Sequence, residues 1–241
     1  MTADGLRIRA AARTHVGNRR TSNEDAFMLG TAVIADELDG RRVVDLQAPA
    51  LVAVADGMGG APAGEVASRL VLEHLRDAQP TDVTALLAAL ESANAALFAA
   101  MEERPEWRGM GTTVAGILVH AEGLLAFGVG DCFVAKSTGR ALRPLLRSLD
   151  EITASNIVDT ALGAVNVRVP LRIECHAVAE RLGRYLVTTD GIGTDASGAI
   201  RSAMLDAART PEEVIETISA CILGGSAQDN LTCIMMEAVI I

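Results

Sequence analysis

Aromatic side chains are scarce in this 241-residue chain, which has one Trp, one Tyr and four Phe. Half of its residues are hydrophobic, so its core must be aliphatic. Cysteine is also sparse. Cys132, Cys175, Cys221 and Cys233 form no C-x-x-C pair, which argues against a zinc site, and nothing suggests a disulfide framework. No run approaches the ~18 consecutive apolar residues of a membrane span, and the N-terminus has no apolar stretch of signal-peptide length. Positive charge is short: 21 Lys and Arg face 31 Asp and Glu, a net charge of −10. Binding a nucleic-acid backbone requires the opposite balance. Neither G-x-x-x-x-G-K nor G-x-G-x-x-G occurs, so no familiar nucleotide loop is encoded. These absences lead us to expect a single domain over residues 1–241, soluble, cytoplasmic, reduced and monomeric, with no nucleic-acid or membrane partner.

Four short apolar runs do stand out: 50–55, 124–129, 184–189 and 231–236. Their length and β-branched content predict buried strands. Each run abuts an aspartate in a tight polar turn. Asp56, Asp131 and Asp190 follow theirs, and Asp229 precedes its own. Helical spacing predicts a helix over 64–78, with Val66, Leu70, Val71 and Leu75 on one face. A second helix is predicted to be capped by Thr81 and to carry the stripe Val83, Leu86, Leu87, Leu90, Leu97, Phe98 and Met101. Thr210-Pro211-Glu212-Glu213 reads as a capping box with Pro at the first helical position. Hairpin spacing surrounds Gly123 and Gly139. Strands in succession, separated by helix pairs, predict an α/β layered sandwich of antiparallel sheets covered by helices.

An acidic residue at one strand end is ordinarily a solvated turn former. The same pattern at four strand ends, joined by Asn23-Glu24-Asp25, reads differently. Carboxylates brought together repel and lose hydration unless cations compensate. Oxygen-only ligands select hard cations such as Mg2+ or Mn2+. Two such ions clamp a phosphoryl oxygen and lower the pKa of water from about 16 toward neutrality, so no Ser or Cys nucleophile is needed. Phosphate binding then calls for an arginine, whose planar fork matches phosphate oxygens. Adjacent Arg19 and Arg20 are by themselves an ordinary solvated turn; Arg20 becomes the candidate through its link to Glu24. Gly57 permits close backbone approach, so its carbonyl can serve as a ligand.

These residues, in this order, resemble the PPM/PP2C family of metal-dependent protein serine/threonine phosphatases. The motifs are Gly17-x-x-Arg20-x-x-Asn23-Glu24-Asp25, Ala55-Asp56-Gly57-Met58-Gly59-Gly60, Gly109-Met110-Gly111-Thr112-Thr113, Gly128-Val129-Gly130-Asp131, Thr189-Asp190-Gly191 and Asp229-Asn230-Leu231-Thr232. They run through nearly the whole chain. The resemblance implies a four-layer αββα sandwich, two antiparallel sheets flanked by helix pairs. It implies that Asp56, Asp190 and Asp229 hold one Mn2+ or Mg2+, and that Glu24, Asp56 and the Gly57 carbonyl hold a second. Asp131, with Asp190, would serve a third, weaker ion. Asp25 would orient metal-bound water and Arg20 would bind the substrate phosphate. The implied substrate is a phosphoserine or phosphothreonine protein, attacked in line by metal-bridging hydroxide. The implied partners are that phosphoprotein and a cognate Ser/Thr kinase.

The chain departs from the family in three places. The stretch between Asp131 and Asp190 is short, which predicts an absent or trimmed flap. Cys132-Phe133 follows Asp131 where Ser-Arg is usual, which predicts local repacking and a less polar wall near the site. Met58 stands where some members place a His acid. Other readings remain at this stage. A pseudophosphatase would keep the fold as a binding module, although Glu24, Asp56, Asp190 and Asp229 are all present. A small-phosphoester hydrolase would use the same metals. Cys175 and Arg181 have the C-x5-R spacing of a thiolate phosphatase, but the five residues between them lack glycine and contain Glu180.

Overall fold

The apolar runs form strands buried on both faces. The computed structural model describes residues 6–58, 63–146, 161–163, 171–192 and 197–240. Its strands are β1 (Leu6–His15), β2 (Asp25–Leu29), β3 (Ala32–Ile34), β4 (Asp39–Gln47), β5 (Ala50–Gly57), β6 (Thr112–His120), β7 (Gly123–Val129), β8 (Phe133–Ser137), β9 (Leu142–Leu146), β10 (Glu174–Val178), β11 (Gly183–Thr188) and β12 (Leu231–Ile240). They form two six-stranded sheets, ordered β4-β1-β12-β11-β8-β9 and β10-β7-β6-β5-β2-β3. Every pairing is antiparallel. The helices are α1 (Gly64–Ala78), α2 (Val83–Glu103), α3 (Ser197–Leu205) and α4 (Pro211–Leu223).

Three apolar layers hold four structural layers together. Ala26, Met28, Ala53 and Ala55 pack with Val71, Leu72, Leu86 and Leu90 between the second sheet and α1–α2. Phe27, Leu29, Val52 and Val54 point the other way and meet Ile8, Tyr185, Val187 and Ile234 between the sheets. Ala11, Leu186, Cys233 and Met235 pack on Ile200, Val214, Ile215 and Ile218 of α3–α4. Successive strand residues face opposite sides, so a strand between two apolar layers has no polar alternation. This explains the continuous runs in β5, β7 and β12, and the small Ala side chains let the layers approach closely.

α1 has the predicted bounds, whereas α2 is capped one residue later than expected. Asp82 is extended, and its side chain accepts from the Ala85 N–H, displacing Thr81 from that role. α2 is long and apolar enough to cross a membrane by length and composition. Its Leu86, Leu90, Leu97 and Met101 nevertheless lie in the core under α1, while Glu91 and Ser92 face solvent. The capping box before α4 closes in both directions between Thr210 and Glu213. The segment expected to replace the flap falls mainly on 147–160 and 164–170, outside the described residues.

Candidate active site

Antiparallel pairing brings the strand ends that carry the acidic turns to one end of the sandwich. Asp25 opens β2 directly opposite Asp56 at the end of β5, and Asp56 in turn lies opposite Thr113 on β6. In the other sheet, the ends of β1 and β11 flank the start of β12, where Asp229 and Asn230 precede Leu231. The sheets are joined here by side chains. The Thr189 hydroxyl crosses between the sheets to donate to Asp25 Oδ2 at 2.8 Å, while within the first sheet the Thr14 and Thr232 hydroxyls share a hydrogen bond at 2.7 Å.

The turn carrying Glu24 is held from several directions. The Glu24 N–H donates to Asn230 Oδ1 at 2.9 Å. Asn230 Nδ2 donates to the carbonyls of Val16 and Ser22, so one amide ties the β12 entry to the loop before β2. The Glu24 carbonyl accepts from the Ser68 hydroxyl at 2.6 Å and from the Gly57 N–H at 3.1 Å. A Cβ at Gly57 would lie 2.3 Å from the Gly64 carbonyl oxygen, so only glycine fits between Glu24 and the start of α1.

The electrostatics show how closely the carboxylates are gathered. Asp25 is 1% exposed, and its Oδ1 has no hydrogen-bond partner. Burial raises its pKa to about 7; hydrogen bonds from Thr232 and Thr189 oppose the rise, and the charges of Asp190 and Asp229 add to it. Burial also pushes Asp56 well up, followed by repulsion from Asp25 and Asp190. Asp190 is raised by burial and by Asp131. Glu24 is raised by burial and by Glu65, while Arg20 draws it down. Contact with Asp190 adds to the rise at Asp56, and the same contact opposes the rise at Asp190. Like charges facing each other across a ladder are destabilising. An orphaned oxygen and a ring of oxygen donors therefore fit hard cations.

All of the residues expected at the site lie in this region: Arg20, Glu24, Asp25, Asp56, Gly57, Asp131, Asp190 and Asp229. Among the described residues, no three of the acidic groups are closed into a ready ligand shell. Arg20 Nη2 instead donates to Asp229 Oδ2 at 2.8 Å, and Asp56 is bonded to Asp190. The sequence reading assigned no roles to Thr14, Asn23, Ser68 or Thr189, nor to Asn230. Their signal was a set of short polar residues flanking the acidic turns and buried by the fold.

One expectation is corrected, and one discounted reading stays discounted. Phe133 does not wall the site. Strand alternation sends it to the far face of its sheet, against α3–α4. Cys132 is the inward residue, 3% exposed and hydrogen-bonded to the Thr113 hydroxyl at 3.0 Å. Burial and then Asp56 push its thiol well up, making it a structural thiol rather than a reactive one. The C-x5-R spacing also dissolves on folding. Cys175 lies in edge strand β10, its thiol raised by burial, while the Arg181 guanidinium donates to the Glu122 carbonyl.

The fold and this centre define a class: a two-sheet, four-layer protein that collects oxygen ligands for hard cations at one end of its sandwich. The chain belongs to the protein phosphatase 2C family, whose model matches residues 32–234. It is 31% identical to the serine/threonine protein phosphatase PstP of Mycobacterium tuberculosis over 97% of this chain and 46% of PstP. The chain thus spans about half the length of that relative. It is 26% identical to the serine/threonine phosphatase stp of Listeria monocytogenes, over 78% of this chain and 84% of that protein. The crystal structure of the PstP catalytic domain in complex with two manganese ions matches with a TM-score of 0.72 at 28% identity, over 97% of this chain and 99% of that one. PppA of Pseudomonas aeruginosa matches with a TM-score of 0.74 at 26% identity, over 96% and 98% of the two chains.

Proposed function

We propose that this chain is a metal-dependent phosphatase of phosphoserine and phosphothreonine in proteins. The observation that carries the reading is the convergence of six carboxylates and Arg20 on one centre that runs from buried Asp25 to half-exposed Asp229, with Asp25 and Asp56 driven up chiefly by burial. Asp56, Asp190 and Asp229 would hold one Mn2+ or Mg2+. Glu24, Asp56 and the Gly57 carbonyl would hold a second, and Asp131 with Asp190 a weaker third. Bound there, the ions supply a water acidified toward neutrality and positive charge for the phosphoryl oxygens.

The remaining work belongs to the chain. With ions held there, Asp56, Asp190 and Asp229 would be engaged as ligands, and Arg20, which here pairs with Asp229, would be the cation available to hold two phosphate oxygens. Asp25, fixed by Thr189, accepts a hydrogen bond from the attacking water and sets its direction. Met58 follows Gly57 where some family members place a His acid, so that acid is missing from this position.

β1 pairs along its length with β12, supporting a single phosphatase unit over the described chain. All four cysteines are free, which supports a reducing, cytoplasmic setting opposite a Ser/Thr kinase. The test is turnover of p-nitrophenyl phosphate and of a phosphothreonine peptide with Mn2+. We expect both activities, abolished by chelator and restored by excess metal. A folded protein that takes up Mn2+ in calorimetry yet turns over neither substrate would instead be a binding module of the same fold.

A further inference from the structure

A groove opens from the acidic centre on the side away from α1. It has a volume of about 260 Å3, and Asp190 and Asp229 form its inner end. That is below the ~300–1,000 Å3 of pockets that bury a drug-sized molecule, and suits a side chain or two. Ile192 and Ile222, 3% and 7% exposed, contribute its buried apolar side chains. Ser226, Ala227 and Gln228 line it further, and Cys221 contributes from the last turns of α4. Among the described residues that line it, the two aspartates are the only charged side chains, and no Lys, Arg or His accompanies them.

The loop that bears Arg20 is fastened to this wall. Asn18 Nδ2 donates to the carbonyls of Leu223 and Gly225 at 3.0 and 3.3 Å, and the Asn18 N–H donates to the Ala227 carbonyl at 2.8 Å. The groove is therefore continuous with the place where phosphate would bind, and its wall is tied to the arginine that would hold it.

We propose that this groove is the subsite for the residue next to the phosphorylated serine or threonine, and that it selects a small or aliphatic uncharged side chain there. The proposal rests on the phosphatase reading above. A peptide whose phosphate lies at Asp190 and Asp229 has to lay an adjacent residue over the groove mouth. An aliphatic side chain gains contact with Ile192 and Ile222. A charged one loses water and, among the described lining, meets only Asp190 and Asp229, which would repel a carboxylate and would already be engaged by the ions. The groove thus confers sequence preference without touching the chemistry.

The test compares phosphothreonine peptides carrying Ala, Val, Lys or Glu at either flanking position, with p-nitrophenyl phosphate as a substrate too small to reach the groove. We expect kcat/KM to favour Ala and Val over Lys and Glu by about tenfold on one side of the phosphothreonine. Two plugs should remove that preference. One is Ser226→Trp. The other is methylthiolation of Cys221, the one exposed cysteine of the four, which needs no refolding and is reversed by dithiothreitol. Each should raise KM for the preferred peptide several-fold and leave p-nitrophenyl phosphate turnover within about twofold of the unmodified enzyme. Cys221→Ser should be insensitive to the reagent. A flat peptide series, or peptide kinetics unmoved by both plugs while p-nitrophenyl phosphate is still hydrolysed, would overturn the subsite. Absence of p-nitrophenyl phosphate turnover in unmodified protein with Mn2+ would overturn the phosphatase reading, and the subsite with it.

Discussion

A buried carboxylate beside other carboxylates keeps its charge only if something positive comes close. Asp56 is the centre's extreme case, with Asp25, Asp190 and Asp131 all raising it. In Asp56→Asn, the amide removes one charge from both main metal sites yet can still donate to Asp190. We expect Mn2+-dependent kcat to fall more than about 100-fold, while the chelator-treated variant melts no lower than the parent. A near-parental kcat would sink the ligand assignment. Arg20 sits on the surface side of the cluster, paired with Asp229. Arg20→Ala should raise KM for phosphopeptides about tenfold and leave kcat nearly unchanged, since it removes a charged hydrogen bond to the ground-state phosphate. An unaltered KM would rule out that role. The identities of these residues could be read from the sequence because acidic turns at strand ends are uncommon as a set. The ion pair and the Asp56–Asp190 contact could not, because both depend on distances between remote segments.

Among the elements, α4 was the most legible. Thr210 and Glu213 satisfy each other's backbone N–H, Pro211 needs no donor at the first helical position, and Val214, Ile215, Ile218 and Ile222 form one buried face. Its polar face was not legible. Glu212 pairs with Arg9, and Glu216 with both Arg13 and Arg41, so the helix is bound electrostatically to β1 and β4 as well as packed. Thr210→Ala should cost about 1 kcal/mol of stability, read as a lowered Tm, with kcat/KM unchanged because α4 meets the site only through its far end. Loss of activity without loss of stability would mean that the cap does something besides hold the helix. At α2 the expected cap was Thr81, and the structure places it on Asp82, one residue later. The backbone entering the helix decided between them, and sequence pattern fixes helix ends poorly.

Across the whole molecule, the acidic centre opposes folding when no cation is present. Asp25 has a folded pKa of about 7 against an ordinary value of 3.8, and Asp56, Asp190 and Glu24 are raised as well. Between about pH 4 and pH 7 the folded state therefore binds more protons than the unfolded one. Its stability falls as pH rises through that window. Asp39 works with the opposite sign. Burial pulls it up, but hydrogen bonds from Arg13 and Arg41 outweigh this and hold it at about 2, so its contribution is present above the usual carboxylate range and is lost on acidification toward pH 2. We expect the Tm of chelator-treated protein to drop between pH 4 and pH 7. At pH 7 Mn2+ should restore it, by about 2.7 kcal/mol at a hundredfold excess over Kd. A Tm that climbs steadily with pH in chelator would contradict this.

By itself the sequence determined the layering and the chemical character of the site. Short, continuous, β-branched runs suit strands covered on both sides, and oxygen donors recurring at their ends suit hard cations. Both conclusions follow from local spacing and residue type, which are written along the chain. Tertiary structure alone decided which strand ends meet, that Phe133 faces the helices and Cys132 the interior, and that a groove beside Asp190 shares a wall with the Arg20 loop. Those outcomes depend on pairing register and on which way a residue points from its sheet, and a shift of one residue would reverse the facing of the whole strand.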